Sequence, residues 1–171
     1  MTLMLWTAAA VGDASRMGWD NVVDGCIEYR RQKTRAKVDR LIKIPIKPDL
    51  EEALNLVPEG QETFLWTSRG GPYSQFSLGG MMRGWCDEAG LPQCSAHGLR
   101  KACARRLADA IASPHEIQAV TGHADLAMVA HYTIAADRGN LAASGMAKVP
   151  TRSEREQKVV NLSKRLASND R

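Results

Sequence analysis

A chain of 171 residues with 44% apolar and 25% charged content has room for one domain, or one domain and a tail, and enough apolar material for a core. Its formal charge of +4 and pI of about 9.0 are a modest basic excess that is unevenly placed along the chain. Aromatic residues are only 5%, so aliphatic side chains, Met and Ala must fill the core, which favours helices.

The opening run MTLMLWTAAAV lacks preceding positive charge and falls far short of the roughly 20 residues a bilayer span needs. It reads as a core helix ending near Gly12. Asp24-Gly25 between Val-Val and CIEY signals a two-residue hairpin turn. A second strand runs through Tyr29 into a basic stretch holding Arg30, Arg31, Lys33, Arg35, Lys37, Arg40 and Lys43 against the single acid Asp39. Such a stretch reads equally well as a phosphate-tracking segment or as a solvated hairpin. LIKIPI at 41–46 alternates apolar and basic residues as a third strand, giving three short antiparallel strands after a helix.

Pro48-Asp49 opens a helix with Leu50, Leu54 and Leu56 on its apolar side. SRGGPYS at 68–74 is loop, and a helix over about 76–89 sets Met81, Met82 and Trp85 at core spacing before Gly90 closes it. Ser95 is the N-cap of a helix carrying His97, Leu99, Arg100, Cys103 and Leu107. Ser113-Pro114-His115-Glu116 is a capping box with Pro at the first helical position, and Gly122 stops that helix. Asp125 caps a short helix ending near Tyr132, and Val159, Leu162 and Leu166 can share one helix face in the polar tail. The four cysteines, Cys26, Cys86, Cys94 and Cys103, form no CxxC pair and no metal-ligand spacing. They read as thiols of a reducing cytoplasm.

His97 and Arg100, three apart on a helix, face the same way. A guanidinium that binds non-bridging oxygens beside an imidazole that moves a proton suits a phosphodiester. His123 at a helix stop and Tyr132 nine residues later complete the set, although a lone histidine or tyrosine is more often structural.

Together QKT at 32–34, IPI at 44–46, DEAGLP at 87–92, SAHGLRKA at 95–102, TGH at 121–123 and HYT at 131–133 resemble the tyrosine recombinase, or phage integrase, family over roughly residues 2–147. The resemblance implies an α+β, mainly helical, integrase-like catalytic domain with a small three-stranded antiparallel sheet. It assigns residues 1–149 to that domain, without the family's N-terminal core-binding domain, and 150–171 to a tail helix exchanged with a neighbouring protomer. It further implies site-specific DNA recombination in a bacterial or phage setting, in the cytoplasm, with double-stranded DNA and other protomers as partners. No cofactor or metal is called for, and no membrane.

By position, Tyr132 would attack the scissile phosphate to form a 3′-phosphotyrosyl link. Arg100 would clamp the phosphate oxygens, His97 would take the tyrosine proton, His123 would hold the phosphate, and Lys33 would protonate the departing 5′-oxygen. Arg30, Arg31, Arg35, Lys37, Lys101 and Arg105 would face the DNA backbone. A type IB topoisomerase shares this chemistry, but TGH followed by HYT and the hairpin favour the integrase pattern.

One departure stands out. The family's first helix turn reads like T-G-x-R with an acidic residue three positions on, and here Thr7-Ala8-Ala9-Ala10 leads to Asp13. The acid survives as Asp13 and the arginine has become Ala10. Arg16 lies nearly two helical turns from position 10 and is poorly placed to replace it. Losing one preorganised donor of this kind costs about 2.7–4 kcal/mol, or roughly 10²–10³ in rate. A relative that binds DNA without cutting it is the alternative.

Overall fold

The Asp24-Gly25 turn forms with both residues left-handed, at φ 50° and 70°, the geometry of a type I′ hairpin. It joins β1 (Val22–Val23) to β2 (Cys26–Arg30), and β2 pairs antiparallel with β3 (Leu41–Pro45) in the order β1-β2-β3. The computed structural model describes residues 1–32 and 41–153, without the side chains of 135–138, 140 and 141. Tyr29 pairs with Ile42 and Ile27 with Ile44. Period-two alternation sends these four inward, while Glu28 and Lys43 meet on the outer face as an ion pair at 2.8 Å.

The apolar opening run does not make a single helix. α1 (Thr2–Thr7) ends where Ala8 turns left-handed at φ 52°, and a second short helix, α2 (Val11–Ala14), follows. A β-carbon in that conformation is strained, so the break is imposed by packing. Leu3 and Met4 of α1 join Ala14, Met17, the inward sheet residues and Phe64 in the core. There α3 (Pro48–Asn55) adds Leu50 and Leu54. Leu56 departs from the sequence reading: it follows the helix as its C-cap and is 78% exposed.

Helix α4 (Gln75–Glu88) begins at the capping side chain of Ser74 and buries Leu78, Met82 and Cys86. Met81 points outward, 41% exposed, because the 3.6-residue period places it 100° from Met82. Helix α5 (Ala96–Asp109) is capped by Ser95, and α6 (Pro114–Thr121) carries the reciprocal Ser113–Glu116 box. Gly122 ends α6 in the left-handed conformation.

Asp125 caps the last helix through Ala127 N, as expected, but α7 (Ala127–Ala147) runs far beyond Tyr132. The Ala-rich sequence after Tyr132 holds no proline, and Gly139 and Gly145 are tolerated within the helix. The chain divides into two compact units, Met1–Ile134 and Ala135–Arg171, and all the site residues described below lie in the first. No described helix is long and apolar enough to cross a membrane. The amphipathic tail reading at 154–167 falls outside the described residues.

Candidate active site

Arg100 stands one turn after His97 on α5, with its side chain turned inward and only 4% of the residue exposed. Its Nη1 donates to the carbonyl of Ala8 at 2.8 Å, tying α5 to the end of α1 across 92 positions of sequence. The strained turn at Ala8 therefore presents a backbone acceptor to a buried cation. Nη2 of the same guanidinium is buried with no hydrogen-bond partner among the described residues.

Gly122 sets the position of His123. A β-carbon at Gly122 would lie 2.9 Å from Arg31 Cδ and collide with Ile42, so α6 ends against the sheet only with glycine there. The chain turns at once and returns the His123 ring to the interior, 8% exposed. Thr121 Oγ1 donates to the Ile117 carbonyl at 2.7 Å and lies 2.6 Å from His123 Nδ1. One hydroxyl proton cannot serve both contacts, so Nδ1–H donates to Oγ1 and Nε2 is left as the acceptor. Burial, then the nearby charges of Arg100, Arg31 and His97, push the His123 pKa down to about 4.

Tyr132, on the second turn of α7, is half-buried with its ring centroid 6.3 Å from that of His123. His97, Lys101, His123, Met128, His131 and Tyr132 line one open groove of about 610 Å³. Arg100 is close enough to feel Tyr132 electrostatically. Four of the five expected catalytic residues, His97, Arg100, His123 and Tyr132, thus gather on one side of the unit. Lys33, the fifth, lies outside the described residues, as do Arg35 and Lys37.

Ala10 is the N-cap of α2 and half-exposed. Asp13 is buried at 6% exposure, and its carboxylate accepts from Gln32 N at 3.1 Å and from Arg16 Nη2 at 3.3 Å. Of the residues expected on the DNA backbone, Arg30 and Lys101 are exposed, and Arg105 is exposed and paired with Asp109 at 2.9 Å. Arg106, its neighbour, stacks 4.5 Å over the Trp6 ring.

Arg31 turns inward. Its Nη1 donates to the carbonyls of Gly122 at 3.1 Å and Thr121 at 3.5 Å, and its Nε lies 3.9 Å from Asp13 Oδ2. Sequence reasoning grouped it with the exposed arginines. The alternation Ile27, Tyr29, Arg31 was the available signal, because it continues the buried face of β2 by one more step.

The model of the phage integrase family matches residues 1–138. The chain belongs to the phage integrase family. Among solved structures, this family member is similar to a lambda integrase dimer bound to a COC′ core site, with 24% identity and a TM-score of 0.63 over 77% of this chain and 50% of that one. It is also similar to the Tn1549 transposon integrase in complex with a circular intermediate DNA, at 17% identity and TM-score 0.65, covering 83% of this chain and 56% of that one. XerA recombinase gives 19% identity and TM-score 0.65 over 88% of this chain and 56% of that one. At these identities the likeness establishes the integrase catalytic-domain fold, mainly helical with a small three-stranded sheet. The chain spans about half the length of these structures. No curated protein matches it in sequence.

Proposed function

We propose that this phage integrase family member cleaves and rejoins DNA in site-specific recombination, with Tyr132 as the nucleophile. The observation that carries the reading is the groove itself, where the half-buried Tyr132 stands beside His123, with His97 and Lys101 on the same wall and the buried Arg100 within electrostatic reach.

The Tyr132 oxygen attacks phosphorus, its proton passes to His97, and the P–O5′ bond breaks. The products are a 3′-phosphotyrosyl link and a 5′-hydroxyl, whose proton comes from Lys33. A 5′-hydroxyl from another strand then reverses the step. One phosphate ester replaces another, so no external energy source enters. Arg100 holds the non-bridging oxygens with its unpartnered Nη2. His123, neutral in the free protein, takes a proton from solvent at Nε2 as the negatively charged phosphate docks beside it, and then donates from that nitrogen to the phosphorane. Double-stranded DNA is the substrate, Arg30, Arg35, Lys37, Lys101 and Arg105 follow its backbone, and residues 150–171 reach a neighbouring protomer. The lambda and Tn1549 integrases, which share the fold, are seen on DNA, and lambda integrase also as a tetramer on a Holliday junction. Residues 1–149 act as the catalytic domain, in a bacterial or phage-infected cytoplasm.

Ala10 in place of the family's first arginine favours a second reading, a DNA-binding relative that does not cut. A pool of nicked duplexes of random sequence separates the two. Cleavage traps a protein–DNA adduct that survives denaturing electrophoresis and disappears in Tyr132→Phe. Retention of the duplexes with no adduct at any sequence identifies the non-cutting relative.

A further inference from the structure

Asp13, the acid that in the family pattern follows an arginine three residues earlier, has here two other arginines beside it, Arg16, with Nη2 3.3 Å from Oδ1, and Arg31. Arg31 reaches it from the end of β2, with Nε 3.9 Å from Oδ2. The same side chain donates to the carbonyls of Thr121 and Gly122, the two residues that immediately precede His123. Arg100 meanwhile holds the carbonyl of Ala8. The segment 8–13, which contains the alanine at position 10, is therefore gripped by one guanidinium at Ala8 and by another at Asp13.

We propose that Arg31 supplies the second guanidinium of the phosphate site, replacing in space the arginine that position 10 lacks. The inference rests on the strand-cleavage reading for its ligand class, a phosphodiester held between Arg31, Arg100 and His123.

Three observations support it beyond proximity. Arg31 and Arg100 hold the two ends of segment 8–13, Arg100 through the Ala8 carbonyl and Arg31 at Asp13, and the Arg31 charge helps to press the Arg100 pKa down to about 10, after burial. Two cations that destabilise each other in a largely buried setting form a site that an anion relieves. Arg31 Nε and Arg100 Nη2 are also the two buried side-chain nitrogens without a hydrogen-bond partner among the described residues. Native proteins rarely leave such donors unmet away from a functional site. Finally, Gly122 leaves the space through which the Arg31 side chain passes, since a β-carbon there would lie 2.9 Å from Arg31 Cδ. A purely structural clip would account for the Nη1 bonds to Thr121 and Gly122. It would also account for the Nε ion pair with Asp13, but not for the unmet Nη2 of the Arg100 guanidinium.

The test uses the full chain and inorganic phosphate as the probe, with binding read from the His123 imidazole resonances and fold integrity from thermal melting. The unsubstituted chain should bind phosphate, and Arg31→Ala should weaken binding roughly 10–100-fold, the equivalent of one charge-assisted hydrogen-bond set. Arg31→Gln, which keeps a polar side chain without the charge, should lose as much and covers the case in which the alanine variant melts early. Adding Ala10→Arg to either variant should restore binding. A structural clip would not predict that rescue, because an arginine at position 10 does not rebuild the bonds to Thr121 and Gly122. Absence of phosphate binding by the unsubstituted chain, or equal binding with and without Arg31, overturns the proposal. Phosphate binding that depends on Arg31, with no Tyr132 adduct on any nicked duplex, would keep the site and reject strand cleavage.

Discussion

Thr121 Oγ1 and His123 Nδ1 stand 2.6 Å apart, and that contact fixes which imidazole nitrogen faces the groove. With Nδ1–H committed to the hydroxyl, Nε2 is left to meet a substrate. Thr121→Val removes the acceptor and leaves a buried N–H unmet, which should destabilise the chain by about 1–3 kcal/mol in urea unfolding. It should also release the ring, seen as a second set of His123 resonances.

The depressed His123 pKa makes a signed prediction. The folded ring titrates at about 4 and the unfolded one near 6.5, so the unfolded chain binds more protons between those values. The His123 contribution to stability is complete above about pH 6.5 and is lost as the pH falls toward 4. Thermal melts across that window should show a loss that His123→Gln abolishes. Inorganic phosphate should raise the His123 pKa, seen as an upward-shifted NMR titration.

Ala8 occupies a left-handed conformation that the family pattern gives to glycine. Ala8→Gly should therefore stabilise the chain by about 1 kcal/mol, the steric relief outweighing the added unfolded-state entropy. Ile111 repeats the situation after α5, at φ 63° with 74% exposure. The amides of Ile111 and Ala112 bond back to the Ala108 and Leu107 carbonyls as in a Schellman ending, so Ile111→Gly should help by a similar amount. Unchanged urea midpoints in both variants would contradict the strain argument.

Gly122→Ala should be costly on two grounds, its positive φ and the side chains of Arg31 and Ile42 that the new methyl would meet. A loss of about 1–3 kcal/mol is expected. The diagnostic readout is the Arg31 side chain, whose Nε–H resonance should shift as its bonds to Thr121 and Gly122 open.

Lys101 and Arg106 differ in a way that DNA binding can report. Lys101 lines the groove, whereas Arg106 stacks on Trp6. Lys101→Ala should reduce the slope of log affinity against log salt by about 1, the loss of one phosphate contact. Arg106→Ala should leave that slope unchanged and cost about 0.5–1 kcal/mol of stability.

Local chemistry was legible in the sequence wherever a rule operates within one or two turns of chain. Asp24-Gly25 demanded a hairpin, Ser113 and Glu116 a capping box, Gly122 a helix stop, and LIKIPI an alternating strand. Each rests on backbone dihedrals or on hydrogen bonds between near neighbours, and each formed as read. The order of the motifs also pointed to the family, because their sequence itself carries the likeness. What only the tertiary structure decided concerns which surfaces meet. Leu56 and Met81 face outward because no described element packs against them, and Ala8 bends left-handed into a site where Arg100 takes its carbonyl. Arg31 looked like one more member of a basic run. Its partners are Asp13 and the carbonyls that end α6, 18 positions before it and about 90 after. The burial that turns a surface arginine into part of a charged site is a property of packed elements, and no spacing within a single segment encodes it.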